Sequence, residues 1–192
     1  MRVPAAVLGL ALVGGGCGSK ESTEGRPGAP TTFGFGRRVT VEEIRAWDTD
    51  VMPDGTGLPP GSGTVSQGAE VYGRKCAACH GRTGTEGPAD RLVGREPRQG
   101  FPFGRDPTLV KTLGNYWPYA TTLYDYINRA MPLDAPGSLH PDEVYGLVAF
   151  LLWRNEIIAD TAVMNSQTLS RIVMPAHDRF VLDDRRGGAE IR

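Results

Sequence analysis

The segment Cys76-Ala77-Ala78-Cys79-His80 constrains the fold of this 192-residue chain more than any other feature. Its spacing places two thiols three residues apart, on one face of a helical turn, so both can bond to the same flat group. The next residue, His80, supplies an imidazole, and C-x-x-C-H is the attachment signature of c-type haem. The pattern predicts that both cysteines form thioether bonds to a haem and that His80 is its proximal iron ligand.

Two other chemistries use the same cysteine spacing. A redox dithiol lies in a βαβ unit, and no alternating strand pattern surrounds Cys76 and Cys79. A zinc site needs a second pair of ligands, and the other histidines, His140 and His177, lie far along the sequence. The residues therefore favour haem over both alternatives.

An electron-transfer haem has a second axial ligand, and a thioether in that position raises the reduction potential. Besides Met1, the methionines that could supply this ligand are Met52, Met131, Met164 and Met174. Met131 follows a predicted helix and precedes Pro132, which fixes the backbone of the turn. Met174 also precedes a proline but lies beyond the last strong helix. We predict Met131 as the distal ligand, and the alternative for any lone methionine is that it fills the core.

The first 17 residues predict a signal peptide. A positive start at Arg2 precedes an apolar run over residues 3–13, which is too short to span a membrane, and small residues then lead to Cys17. Cys17 is either the lipid acceptor of a lipoprotein or an ordinary thiol at the cleavage site. Gly14 stands where an acceptor site has a large aliphatic residue. Both alternatives predict an exported, periplasmic protein, and lipidation would anchor it to a membrane.

The composition indicates one globular domain with long irregular arms. Gly 26 and Pro 15 exceed a fifth of the residues, which predicts many turns. The formal net charge of −1 gives no basic field for nucleic acid and no polybasic run for a lipid surface. The predicted divisions are the signal peptide (1–17), a tether and N-terminal arm (18–63), a haem domain (64–160) and a C-terminal extension (161–192).

Helix signals dominate the chain, and no long alternating segment predicts a strand, so the fold class is all-α. A capping box at Thr40 opens a short helix to about Trp47. Further helices are predicted over residues 67–76 behind a Ser66 cap, over 123–130 behind Thr121 or Thr122, and from Pro141 onward. The apolar stripe of the last helix predicts packing against the helix before the haem motif.

These motifs together resemble the class I c-type cytochromes. The resemblance rests on residues 76–81, on Glu86-Gly87-Pro88, and on Met131-Pro132 before a final helix. In that family the proline of the Gly-Pro pair gives its carbonyl to the haem histidine, which implies that Pro88 fixes the His80 tautomer.

Other segments are more specifically similar to the cytochrome subunit of bacterial sulfane (sulfur) dehydrogenase: residues 33–37, 54–63, 111–120, 124–132 and 173–175. That similarity extends over roughly residues 33–183. The sequence departs from the pattern at His140, where a threonine or serine usually caps the last helix and Ser138 is a substitute. It also departs by holding a single C-x-x-C-H motif, since some relatives carry a second haem.

The resemblance implies a function in electron transfer. One covalently bound haem c would accept electrons from a molybdenum-cofactor dehydrogenase subunit during thiosulfate oxidation and pass them to a small cytochrome c. With both axial positions filled, the chain is not expected to be catalytic on its own. The open alternatives are a free-standing shuttle, the cytochrome subunit of a sulfite or alcohol dehydrogenase, and a haem sensor or peroxidase-like enzyme.

Side chains outside the motif complete the predicted site and interface. Tyr116 and Trp117 have apolar bodies with polar tips, suited to covering a porphyrin and reaching a propionate. Aromatic and methionine side chains in both arms, such as Trp47 and Met174, are typical of interface hot spots. We expect the arms to contact the catalytic partner, and the alternative is that they wrap the chain's own core.

Overall fold

The computed structural model describes residues 34–181. The signal peptide, Cys17 and Phe33 lie outside the described residues. The chain divides into two compact units after Val39, and the elements named next belong to the second unit. The elements of the second unit are α1 (Val41–Trp47), β1 (Ser62–Thr64), α2 (Val65–Lys75), α3 (Ala77–His80), α4 (Ala120–Ala130), α5 (Pro141–Arg154), β2 (Val163–Asn165) and α6 (Ser166–Leu169). Short 3₁₀ turns lie at Pro102–Gly104, between α3 and α4, and at His177–Arg179, after α6. The fold is mostly helical, as predicted, with one small sheet that the sequence did not predict.

The helix before the haem motif begins earlier than predicted. Thr64 caps α2, and its side chain accepts a hydrogen bond from the Gln67 backbone N–H at 3.2 Å. The Gln67 side chain accepts in return from the Thr64 N–H at 2.9 Å. Ser66 therefore lies inside the first turn, and its predicted role as the cap is wrong because the residue three positions after Thr64 completes the capping box.

The start of α4 also differs from the prediction. The helix begins at Ala120, and neither Thr121 nor Thr122 caps it. Their hydroxyls donate to backbone carbonyls instead, Thr121 to Pro53 at 2.9 Å and Thr122 to Tyr119 at 2.9 Å. The Thr121 bond ties the N-terminal arm to α4.

The longest helix, α5, starts at Pro141 as predicted, with His140 at the N-cap position. The Glu143 carboxylate accepts a hydrogen bond from the His140 backbone N–H at 3.0 Å, so the departure at His140 still leaves a capped helix. Nine consecutive residues from Val144 to Leu152 are buried. A helix that is apolar all round lies at the centre of its domain.

Gly68 lets α2 cross α5 with their backbones almost touching, and Gly63 lets β1 approach α5 equally closely. A Cβ built at Gly68 would lie 1.8 Å from the carbonyl oxygen of Gly146, and one at Gly63 would lie 2.1 Å from the Gly146 nitrogen. No side chain fits in that space. The crossing fixes the orientation of α2, and Cys76 follows directly from its last residue.

The two arms meet in the small sheet. β1 pairs antiparallel with β2, with Gly63 opposite Met164. Met164, Leu169 and Met174 are all buried in the main core, and the Val51 backbone N–H donates to the Asp125 carboxylate at 2.9 Å. The C-terminal extension thus packs on the chain's own core at these residues, and the prediction that Met174 contacts a partner is wrong.

Candidate haem-binding site

The two motif cysteines lie one helical turn apart. Cys76 is the residue between α2 and α3, and the His80 backbone N–H donates to its carbonyl at 2.9 Å. Both thiols are free: Cys79 is exposed, whereas Cys76 packs against the core. Burial raises the pKa of the Cys76 thiol to about 11, so it is protonated at neutral pH. Redox C-x-x-C motifs instead lower the pKa of a thiol, and this environment does not favour that chemistry.

The backbone around His80 fixes which ring nitrogen can bind iron. Nδ1 lies 2.8 Å from the carbonyl oxygen of Asp90. Because a carbonyl oxygen only accepts, Nδ1 must carry the proton, and Nε2 keeps its lone pair for a metal. This is the tautomer that a proximal ligand needs.

The carbonyl that orients His80 was predicted to come from Pro88, but in this structure the carbonyl at Nδ1 belongs to Asp90. The backbone N–H of Ala89 donates to the Cys79 carbonyl at 2.9 Å. That bond holds the chain against α3 one residue before Asp90. A role of Pro88 in haem binding stays a prediction.

The loop after the motif is held by its own side chains. The Glu86 carboxylate accepts from the backbone N–H groups of Thr83 and Thr85, each at 3.1 Å, and from both threonine hydroxyls. These hydrogen bonds, led by that of the Thr83 hydroxyl, lower the pKa of Glu86 to about 2. The Tyr72 hydroxyl donates to the Gly81 carbonyl at 2.9 Å, which joins the loop to α2.

A buried asparagine that sequence reasoning missed holds the next part of this loop. Asn155 donates through Nδ2 to the carbonyls of Leu92 (3.3 Å) and Leu151 (2.8 Å) and accepts through Oδ1 from the Gly94 N–H (3.0 Å). On its other side, Gly94 accepts from the Thr112 hydroxyl at 2.5 Å. An asparagine just after the long apolar stretch of α5 is the sequence signal that could have identified it.

Met131 lies at the end of α4, where its backbone is extended and its N–H donates to the Ile127 carbonyl at 3.1 Å. Its side chain is half-buried and packs against the edge of the core. Met164 and Met174 are buried inside that core, whereas Met52 is about half exposed. Of these four methionines, Met131 alone combines partial exposure with packing on the core, and its role as iron ligand stays a prediction.

Tyr116 and Trp117 have different surroundings although they are neighbours in sequence. Trp117 packs on the core edge and meets Tyr126 edge-to-face, with ring centroids 5.9 Å apart. Tyr116 stacks on Phe101 at 5.5 Å and meets Phe180 of the C-terminal extension at 5.4 Å. Trp117 is therefore the better placed of the two to cover a porphyrin, and both roles stay predictions.

The structure gives no support to the zinc interpretation. Within residues 34–181, no three His, Cys, Asp or Glu side chains come together as a metal cluster. His140 is the N-cap residue of α5, and the His177 Nδ1 lies 2.6 Å from the Asp178 carboxylate. The same range contains no helix that is long and apolar enough to cross a membrane.

The residues present fit a covalently bound haem. Two free thiols lie a turn apart, and the neighbouring imidazole keeps a lone pair on Nε2. Partly buried apolar side chains pack against the core and offer apolar surface: Ala77, Leu92, Trp117 and Met131. Tyr126, which meets Trp117, leaves about half of its ring surface exposed. Such an open apolar edge is suited to a flat apolar group.

Comparisons with known proteins agree with this site. A family described as "Cytochrome C oxidase, cbb3-type, subunit III" matches residues 63–151. Among solved structures, a chain of the sulfane dehydrogenase SoxCD from Paracoccus pantotrophus is 40% identical, with a TM-score of 0.71. That match covers 80% of this chain and 74% of the other. No curated protein matches significantly.

The chain belongs to the c-type cytochrome family, whose class I fold the motifs predicted. Within that family it is similar to a chain of a sulfane dehydrogenase, and the resemblance stated from the sequence is confirmed. The family implies a covalently bound haem c and an exported, periplasmic protein.

Proposed function

We propose that this chain is a single-haem electron-transfer subunit of a molybdenum-containing sulfane dehydrogenase that acts in thiosulfate oxidation. The observation that carries the proposal is the 40% identity, over 80% of the chain, to a chain of a protein named as a sulfane dehydrogenase. The single C-x-x-C-H motif supports one haem per chain. A small cytochrome c is the proposed electron acceptor.

Each site residue has one task in this proposal. Cys76 and Cys79 bond the haem to the chain, and His80 binds the iron through Nε2, while the Asp90 carbonyl holds its ring. Met131, at the end of α4, would supply the second protein ligand to the iron. When bound, the haem supplies an iron that gains and loses a single electron. With His80 and Met131 both holding the iron, the chain would transfer electrons without binding a substrate there.

Three methionine-to-leucine variants test the axial ligand. Leucine keeps the volume of methionine but removes the sulfur, so folding is little affected. We expect Met131→Leu to abolish the near-infrared sulfur–iron band of the oxidised protein and to lower the reduction potential, with the haem still covalently attached. The controls, Met52→Leu and Met174→Leu, should retain the band. Loss of the band in Met174→Leu but not in Met131→Leu contradicts the ligand assignment.

Purification from the native organism tests the partner. The cytochrome should copurify with a molybdenum-containing subunit, and only the complex should oxidise sulfane substrates. Isolation as a single chain would favour a free-standing shuttle, and oxidation of sulfite or an alcohol by the complex would favour another dehydrogenase. Mass spectrometry of the mature N-terminus decides whether Cys17 carries a lipid anchor.

A further inference from the structure

The seven-residue helix α1 keeps its apolar side chains in solvent. It buries none of its residues. Val41 is 59% exposed, Ile44 51% and Trp47 87%, and their spacing of three residues places them along one stripe of the helix. Trp47 is a costly residue to leave in water, because its indole is among the largest apolar surfaces that a side chain offers.

A capping box and well-placed charges stabilise α1 locally. Thr40 and Glu43 form a capping box, in which Glu43 accepts from the Thr40 N–H at 2.9 Å and the Thr40 hydroxyl accepts from the Glu43 N–H at 3.2 Å. Glu42 and Glu43 lie in the first turn and Arg45 in the last, which suits the helix dipole. Helices this short are marginal in water without tertiary packing. Within residues 34–181 no residue of α1 is buried, so its apolar stripe is open to a partner.

Several parts of the arms are held within the chain. At Val51 the N-terminal arm is bonded to α4, and β1 pairs with β2 of the C-terminal extension. Met174 of that extension is buried in the core. By contrast, α1 is a regular helix that buries none of its residues.

The comparison with the dehydrogenase indicates which partner that is. The matching family domain starts at residue 63, after α1 has ended. The match to the sulfane dehydrogenase chain covers 80% of the sequence, and a continuous match of that length leaves out at most about 38 of the 192 residues. A continuous match would therefore include α1, which lies outside the family domain.

We propose that the stripe Val41, Ile44 and Trp47 docks into an apolar groove of the molybdenum-containing catalytic subunit and that Trp47 is its main anchor. This inference rests on the proposed function. It assigns the interface to α1 and not to the C-terminal extension, in which Val173 is also exposed but belongs to a segment that the core already holds.

The test compares the affinities of three full-length holoproteins for the purified catalytic subunit, measured by isothermal titration calorimetry. Trp47→Ala should weaken binding roughly tenfold or more, as expected for a buried aromatic anchor. Val173→Ala, which removes a comparably exposed apolar side chain, should bind like the wild type. Both variants should keep the wild-type haem spectrum and unfolding midpoint, because neither side chain is buried.

Hydrogen exchange gives an independent readout. Amides of residues 41–47 should exchange quickly in the free cytochrome and become protected in the complex. If the wild type binds the catalytic subunit, while Trp47→Ala binds equally well and α1 gains no protection, the docking inference is overturned and the proposed function stands. A Trp47-dependent dimer of the free cytochrome, with unchanged binding of the catalytic subunit, also overturns it. If the wild type does not bind at all, both proposals fail.

Discussion

The crossing of α2 and α5 gives the sharpest test of the fold, through the substitution Gly68→Ala. The added methyl group would lie 1.8 Å from the carbonyl oxygen of Gly146, 2.3 Å from its carbonyl carbon and 2.8 Å from the Phe150 Cβ. None of these atoms belongs to the flexible end of a side chain, so the two helices must move apart. Overpacking of this kind costs about 1–3 kcal/mol, and a clash with backbone lies at the upper end.

The same helix offers a matched control in Gly73→Ala. A methyl group at Gly73 meets no atom within 4 Å. Alanine in a helix interior is favoured over glycine by about 0.5–1 kcal/mol, so this variant should be slightly more stable than the wild type. The stability of Gly146→Ala should lie between those of Gly68→Ala and Gly73→Ala, because its methyl group would approach Gly68 no closer than 3.1 Å.

Guanidinium unfolding of the holoproteins, followed by circular dichroism, measures the three free energies of unfolding. We expect Gly68→Ala to lose about 2 kcal/mol or more after the helix-propensity gain is included, with Gly146→Ala less affected and Gly73→Ala stabilised. Equal stability of Gly68→Ala and Gly73→Ala would refute the close crossing of the two helices.

Two further predictions concern the polar contacts of the core. Asn155→Leu should cost about 2 kcal/mol in the free energy of unfolding, because it leaves the part-buried Gly94 N–H without its acceptor, and a wild-type stability would contradict this. The Arg129 guanidinium and the Val51 N–H hold the pKa of Asp125 below its usual range. Its stabilising effect is therefore fully present above about pH 4 and is lost as the pH falls through the lowered pKa. The difference in melting temperature between wild type and Asp125→Asn should shrink below pH 4, whereas a constant difference would show that the charge is irrelevant.

Features that depend on a few neighbouring residues were predictable from the sequence. The capping box at Thr40 and the proline start of α5 are both present, because each depends on residues within one helical turn. The start of α2 was placed two residues too late, at a Ser66 cap, although a capping box was present in the sequence. Gln67, the second residue of that box, stands three residues after Thr64 and not after Ser66.

Long-range contacts could not be predicted in this way. The strands β1 and β2 are three residues each, too short for a visible alternation, and their pairing joins segments about 100 residues apart. The choice of Asp90 over Pro88 depends on where the Ala89 N–H finds an acceptor, which only the folded loop decides. The motif identified His80, but the carbonyl that orients it is a property of the tertiary structure.

We propose that electrons from a molybdenum-containing sulfane dehydrogenase enter this chain at the haem held by Cys76 and Cys79. Stopped-flow absorbance at the reduced-haem band tests it most directly, with the oxidised cytochrome mixed with the catalytic subunit and a sulfane substrate. Rapid reduction is expected only when subunit and substrate are both present. A haem that stays oxidised in the complete mixture, or that the substrate reduces equally fast without the subunit, contradicts the claim.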